Sequence, residues 1–361
     1  MREHLHKDLS IRKTKRIQWI IVGLVLVLYI LFFIPMPYFI TSPGAAIELK
    51  SIVEVESPYN EAGEFMLTTV SMSSATVASY LVAQFNTFSE LIPEEWVLSE
   101  DEDSEDYANR QLKVMEQSQE NAIIAAHNQL ALTIFIDPIG VVVLDLIPGL
   151  PGEDLLQVGD IITGVDESPI RKVEGLIDYF QTKKAGDIVS LDFIRNGVLY
   201  TGEVELVYLD RQEAEVSEPR RVGIGFYPEQ EIDILPSKKI KFFTENIGGP
   251  SAGLMFTLEI INQLIPEDLT KGYKIAGTGT ISDDGIIGQI GGARLKVKAA
   301  FETGAEIFFV PKDIEEDDVN QFDAETANND LGNPLKIVPV STLSEAVDFL
   351  KKLPPKLEVR G

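Results

Sequence analysis

Ile17 to Ile34 is an apolar run of 18 residues in which Gln18 is the one strongly polar side chain. As a helix it spans about 27 Å, close to the hydrocarbon thickness of a bilayer. Before it stand Arg2, Lys7, Arg12, Lys13, Lys15 and Arg16 against only Glu3 and Asp8. A basic flank stays on the cytoplasmic side, so everything after Tyr38 is expected outside the cell. Two rival readings compete with an anchor. A signal peptide has a shorter apolar core, about 7–15 residues, followed by a small-x-small cleavage site. Here Pro35-Met36-Pro37-Tyr38-Phe39 follows, although Gly44-Ala45-Ala46 keeps cleavage open. A buried core helix would not carry a basic block before it. The expectation is an uncleaved single-pass anchor in membrane lipid.

That topology sharpens the composition. The 361 residues call for more than one domain, and 45% of them are apolar, enough for proper cores. A formal net charge of −26 argues against nucleic acid as a partner. With no cysteine, disulfides, thiol nucleophiles and cysteine-built zinc sites are excluded. Of the three histidines, His4 and His6 fall on the cytoplasmic side and only His127 reaches the other. It sits in a helical run, where a partly exposed surface histidine is the plain reading. No metal and no cofactor are expected.

Ile47–Val55 and Phe65–Val70 read as strands, and Ala75–Leu91 as a helix ended by Pro93. Glu100 to Asp106 is an acidic, solvated loop without the glycine and spacing of a calcium-binding loop. A long helix over Tyr107–Leu130 follows. Next come a strand at Gly140–Leu144, Leu155-Leu156-Gln157-Val158-Gly159-Asp160-Ile161-Ile162, a helix over Val173–Thr182, and a strand from Gly186-Asp187 to the Asn196-Gly197 turn. The order L-x-x-G-D-I-I, then G-D-x-V-x-L-x-x-x-R-x-G, resembles a PDZ domain of the bacterial protease-associated kind. The resemblance implies an extended peptide added as a strand beside a groove. The matching groove strand is Gly140, Val141, Val142 and Val143 with Leu144, facing the 173–182 helix. A small β-rich spacer without a ligand is the plain alternative.

Arg211–Arg221 reads as a linker. Strands at Val222–Phe226 and Ile240–Thr244 then lead to Gly248-Gly249-Pro250-Ser251-Ala252-Gly253, a tight turn into an apolar helix over Ser251–Ile265. A serine there is either an ordinary N-cap or a nucleophile with its oxyanion site at a helix N-terminus. Tyr273–Ser282 and Ile286–Ile290 flank an Asp284-Gly285 hairpin signal. Gly291-Gly292 opens a helix over Ala293–Thr303, closed by Gly304. Glu306–Val310, Leu335–Val340 and a helix over Thr342–Leu350 complete the chain.

A nucleophilic serine needs a base. Histidine is nearly absent on this side of the membrane, and an ordinary carboxylate is too weak, which leaves a desolvated lysine. On the 293–303 helix, Arg294, Lys298 and Glu302 form one charged stripe. Lys296 lies about 200° round from that stripe, on a face with Ala293, Ala299 and Ala300. Snorkelling to water is its bland reading.

G-P-S-A-G, then T-G-x-I-S-x-x-G-x-I-x-x-I-G-G, then x-x-K-x-x-A-A, resembles the proteolytic domain of Lon-type Ser-Lys proteases over about 130 residues. The resemblance implies Ser251 as nucleophile, Lys296 as general base and Thr278 as its support. The backbone N–H groups of Ser251 and Ala252 would serve the oxyanion. Many Lon enzymes carry an acidic residue two places before the proline, where this chain has Gly248. No G-x-x-x-x-G-K-[ST] phosphate loop occurs anywhere, so no ATP is expected. An anchor and a PDZ-like unit stand where the unfolding module would be, as in the membrane-anchored Lon-like proteases of Gram-positive bacteria.

The expected fold is α+β and multidomain: an N-terminal transmembrane helix, a PDZ-like β-rich domain and a Lon-type α/β proteolytic domain. The expected limits are 1–16 basic cytoplasmic tail, 17–35 anchor, 38–130 extracellular β/helical region, 131–210 PDZ domain, 211–221 linker, 222–352 proteolytic domain and 353–361 tail. The expected function is ATP-independent serine endopeptidase action on exported peptides or unstructured protein segments, the PDZ unit presenting or gating them. A homo-oligomer is implied by the resemblance alone. The alternative is a non-catalytic, membrane-tethered PDZ scaffold.

Overall fold

The computed structural model describes residues 2–98, 102, 104–209, 221–244 and 247–356, with side chains from Gln18 onward apart from Ser104. The basic tail's side chains, most of the 211–221 linker, much of the acidic stretch and residues 357–361 of the tail lie outside the described residues. The first half of the chain contributes α1 (Arg2–Phe33), β1 (Pro35–Glu48), β2 (Glu64–Thr76), β3 (Glu90–Pro93) and α2 (Ser104–Gln129). A middle section holds β4 (Ile134–Leu146), β5 (Ile161–Val165), α3 (Val173–Gln181), β6 (Ile188–Arg195), β7 (Val198–Glu205) and β8 (Phe226–Pro236). The last section holds α4 (Gly253–Leu264), β9 (Lys274–Gly277), α5 (Ala293–Thr303), β10 (Ile307–Pro311), α6 (Asn320–Asp330), β11 (Lys336–Val340) and α7 (Leu343–Lys352).

Among the described residues no helix is long and apolar enough to cross a membrane. Side chains of α1 are described from Gln18, so only part of the 17–35 run is visible. That part turns its apolar side chains outward, with Trp19 75% and Phe33 71% exposed.

The central sheet runs β11-β10-β9-β2-β1-β3. Strands β9, β10 and β11 pair in parallel, β9 also runs parallel to β2, and β1 is antiparallel to β2 and β3. Ile307-Phe308-Phe309-Val310 is apolar at every position because both faces of the sheet are covered. Phe65, Leu67, Ile275, Ile307 and Phe309 pack with α2, α4 and α7. The alternate residues Met66, Ala276, Phe308 and Val310 pack with α5 and α6.

This sheet corrects the expected partition. Residues 38–130 do not form a region of their own, because β1 and β2 are inner strands of the sheet that also holds β9, β10 and β11. Periodicity marks a strand but not its partner, so the pairing of Glu64–Leu67 with Lys274–Gly277 leaves no local signal.

The middle section is a separate sheet, β8-β4-β5-β6-β7, with the two-residue strand Ser168–Pro169 beside β5. It has its own core around Val141, Val143, Leu156, Ile162, Leu176 and Leu191. Val222 and Ile224 belong to that core, and β8 pairs with β4 from Phe226↔Leu146 to Pro236↔Ile134. The Val222–Phe226 stretch therefore closes this unit rather than opening the next domain. The unit is an insertion in the larger α/β fold, and its two ends meet where His127 Nε2 lies 3.2 Å from Ser237 Oγ.

The expected groove strand also needs correction. Gly140, Val141, Val142 and Val143 are paired on both edges, with Glu231 to Pro228 of β8 on one side and, at Val141 and Val142, with β5 on the other. Val141, Val142 and Val143 are fully buried. The chain's own strand β8 occupies the edge that a peptide would join, because the extended run 226–236 folds back on β4 before the chain leaves the unit.

The discontinuous core has a direct test. A chain reduced to residues 222–352 lacks β1 and β2 and is expected to show no cooperative thermal transition by circular dichroism. A chain in which a short Gly-Ser linker replaces 131–236 is expected to keep one.

Candidate active site

Ser251 lies in the turn that precedes α4. Gly249 adopts φ 87°, a left-handed conformation that favours glycine. Gly253 has no room for a side chain, since a Cβ there would sit 2.7 Å from Ile281 Cγ2. Every residue of α4 is buried, so the turn is delivered by a helix that cannot shift without disturbing the core. The helix starts at Gly253, with Ala252 as N-cap, rather than at Ser251.

Two structures grip the turn. From α2, the Gln111 carbonyl accepts the Gly249 N–H at 2.9 Å, and Ser118 Oγ donates to the Pro250 carbonyl at 3.0 Å. From the chain after β9, the Gly279 N–H and the Thr278 hydroxyl both donate to the Ser251 carbonyl, at 2.9 and 3.1 Å. With its carbonyl held twice, the Ser251–Ala252 peptide has a set orientation. Among the described residues no acceptor takes up the N–H of Ser251 or Ala252.

Lys296 enters from α5. Gly292 caps that helix in the left-handed conformation, and Asn320 clamps the preceding Ile290 peptide, accepting from its N–H at 2.7 Å and donating to its carbonyl at 2.8 Å. Lys296 Nζ reaches Ser251 Oγ at 2.7 Å and donates to Thr278 Oγ1 at 3.1 Å. Thr278 is fully buried and Lys296 is 3% exposed. Burial pulls the Lys296 ammonium down from the ordinary lysine value to about 7. No charged group contributes to that shift. The Thr278 hydrogen is spent on the Ser251 carbonyl, so its oxygen can only accept from Nζ. That leaves the lone pair of a neutral amine free for the Ser251 hydroxyl.

The structure thus brings Ser251, Thr278 and Lys296 together. His127 is elsewhere and fully buried, Nδ1 2.8 Å from the Ile123 carbonyl, so its expected exposure was wrong. The insertion seals it through Ser237. The Ile286–Ile290 return strand is not formed. Thr280 and Gly288 exchange hydrogen bonds at 3.2 and 3.4 Å, but the hairpin opens into the loop that supplies the cavity wall. Gln111, Ser118 and Asn320 were missed, since nothing in local pattern ties a helix residue to a turn more than 130 positions away, or Asn320 to the Ile290 peptide 30 positions before it.

The Ser251–Lys296 pair faces a cavity of about 980 Å³ bounded by β1, β2, β3, α2 and the Gly291-Gly292 loop. Strand β9 pairs with β2 only over Glu64–Leu67, so beyond Leu67 the β2 residues Val70 and Met72 help to line it.

Residues 245–351 match the C-terminal proteolytic domain of Lon protease (S16), and residues 108–206 match the PDZ domain. The chain combines a PDZ domain with a Lon-type proteolytic domain. A Lon protease of Neorickettsia sennetsu is 33% identical over 112 residues, 31% of this chain and 13% of that protein. One from Mesomycoplasma hyopneumoniae is 26% identical over 196 residues, 54% and 20% respectively. The PDZ domain of the SdrC-like protein of Listeria monocytogenes is 27% identical, covering 25% of this chain and 87% of that one, with a TM-score of 0.22. The chain spans only 13% and 20% of the two Lon relatives.

The lysine's burial predicts a stability signature. Between about 7 and 10.5 the unfolded chain holds a proton on Lys296 that the folded chain has lost, so stability rises with pH across that window. Lys296→Met removes the cost of burying the charge. Calorimetry should show a higher Tm than wild type at neutral pH, with the gain shrinking toward alkaline pH.

Proposed function

We propose that the protein is a membrane-anchored, ATP-independent serine endopeptidase in which Ser251 and Lys296 form the catalytic dyad. The observation that carries this reading is a buried lysine nitrogen with no charged partner among the described residues, 2.7 Å from the hydroxyl of a serine at a helix N-terminus. A neutral Lys296 takes the Ser251 proton while Oγ attacks a peptide carbonyl carbon. The Ser251 and Ala252 N–H groups receive the oxyanion. The lysinium then passes its proton to the departing amine, leaving an ester on Ser251. Lys296 next accepts a proton from water, whose oxygen attacks the ester, and returns that proton to Ser251 as the acid product leaves. Thr278 holds Nζ in line.

Two features support the anchor: the basic block before the apolar run and the outward-facing apolar side chains of α1. The absent phosphate loop supports ATP independence. On this reading substrates are exported peptides or unstructured segments that can enter as extended chain. A homo-oligomer follows from the Lon relationship only. Because β8 closes the expected groove, the PDZ unit does not present substrate through Gly140–Val143 unless β8 is displaced.

The full chain in detergent or liposomes should cleave unfolded casein and extended peptides without nucleotide. Ser251→Ala and Lys296→Ala should each lower the rate by roughly 10³-fold or more. Equal cleavage by the three proteins would remove the dyad. The rate should also climb as pH passes through about 7, where Lys296 loses its proton, and level off above.

A further inference from the structure

The cavity beside Ser251 has a chemical bias of its own. Among the described residues its lining includes one carboxylate, Glu90, with mostly apolar and uncharged neighbours. Glu90 lies on β3, the edge strand of the central sheet. It pairs with Thr41 of β1, and Thr41 pairs in turn with Met72 of β2. Directly paired residues present side chains to the same face, and all three line the cavity. Ile92, two positions along β3, does so as well. Met72, Thr41 and Glu90 therefore form one row across the cavity wall, with Ile92 beside its charged end.

Glu90 is half-buried there, and burial pushes its carboxyl above the usual range. Asp323 adds to the effect and Arg294 opposes it. Arg294 is engaged elsewhere, its guanidinium 3.0 Å from Asp330. Among the described residues Glu90 forms no ion pair, so this partly desolvated carboxylate is costly, and a cationic ligand would relieve the cost. The cavity therefore offers the Glu90 carboxylate as an acceptor, set among the methyl and methylene groups of Met72 and Ile92.

We propose that Glu90 is a specificity determinant that selects a lysine or arginine side chain of the peptide substrate, the stem lying against Met72 and Ile92 and the cationic head meeting the Glu90 carboxylate. The charge of the whole chain, −26, draws cationic peptides toward the cavity before binding. This inference rests on the endopeptidase reading above and names the substrate class for that same site.

The test uses the full chain in liposomes and fluorogenic peptides that differ at one position, carrying lysine, arginine, norleucine or glutamate. Wild type is expected to favour lysine and arginine over norleucine in kcat/KM by about tenfold or more at one subsite. Glu90→Gln should collapse that ratio, and Glu90→Lys should turn the preference toward glutamate. Thermal melts on each variant separate loss of discrimination from loss of fold. A wild type indifferent to charge, or a Glu90→Gln variant that keeps the wild-type ratio, overturns the assignment of Glu90 while the dyad stands. Cleavage that survives in Ser251→Ala removes the Ser251–Lys296 dyad, and with it the site beside which Glu90 is assigned.

Discussion

An amine buried without a counter-charge is the constraint around which this molecule is arranged. Among the described residues Lys296 Nζ has two polar neighbours, Ser251 Oγ and Thr278 Oγ1, and both are neutral. A carboxylate in their place would have held the lysine protonated and useless as a base at neutral pH. Desolvation alone lowers its proton affinity to the range where it can take a proton from a hydroxyl. The arrangement is costly to stability, and only a rigid surround keeps the side chain from reaching water. The Asn320 clamp on the Ile290 peptide and the small residues Ala293, Ala299 and Ala300 of α5 provide that surround.

The serine is held just as firmly, but from distant parts of the chain. Its carbonyl is tied to the segment after β9, while Gly249 and Pro250 are tied to α2. Helix α2 precedes the inserted unit and the serine turn follows it. Nucleophile and base thus depend on a core that closes only when the two halves of the α/β fold meet across the insertion. A defect in how the insertion folds would register at Ser251 through α2, without any contact to the reacting atoms.

The inserted unit bears on substrate delivery. Its strand β4 is saturated by β8 and β5, so the unit as folded offers no free edge at Gly140–Val143. Strand β8 leads within a few residues into Ile240–Phe242, which pairs with Val53–Val55. Displacing β8 would therefore tug on the proteolytic fold. The cavity beside Ser251, by contrast, has about 980 Å³ of free volume and Glu90 in its wall.

Much of the site is legible in the amino-acid order alone. Gly249 and Gly253 mark a turn that other residues cannot make, and the 294/298/302 stripe leaves Lys296 alone on the apolar side of its helix. The scarcity of histidine narrows the choice of base. These are local signals, and helical period and glycine geometry are enough to read them. The partition of the chain is not legible in this way. The expected 38–130 region, the start of the second domain at Val222 and the free groove strand are all revised by pairings between distant strands. The grips of Gln111, Ser118 and Asn320 are hidden for the same reason. Sequence by itself made Ser251 and Lys296 candidates through residue type and turn chemistry, and the resemblance to Lon-type proteases selected them over an N-cap serine and a snorkelling lysine. Only the tertiary structure decided that they meet and that Lys296 is dry, because burial belongs to the packed whole and not to any segment of it.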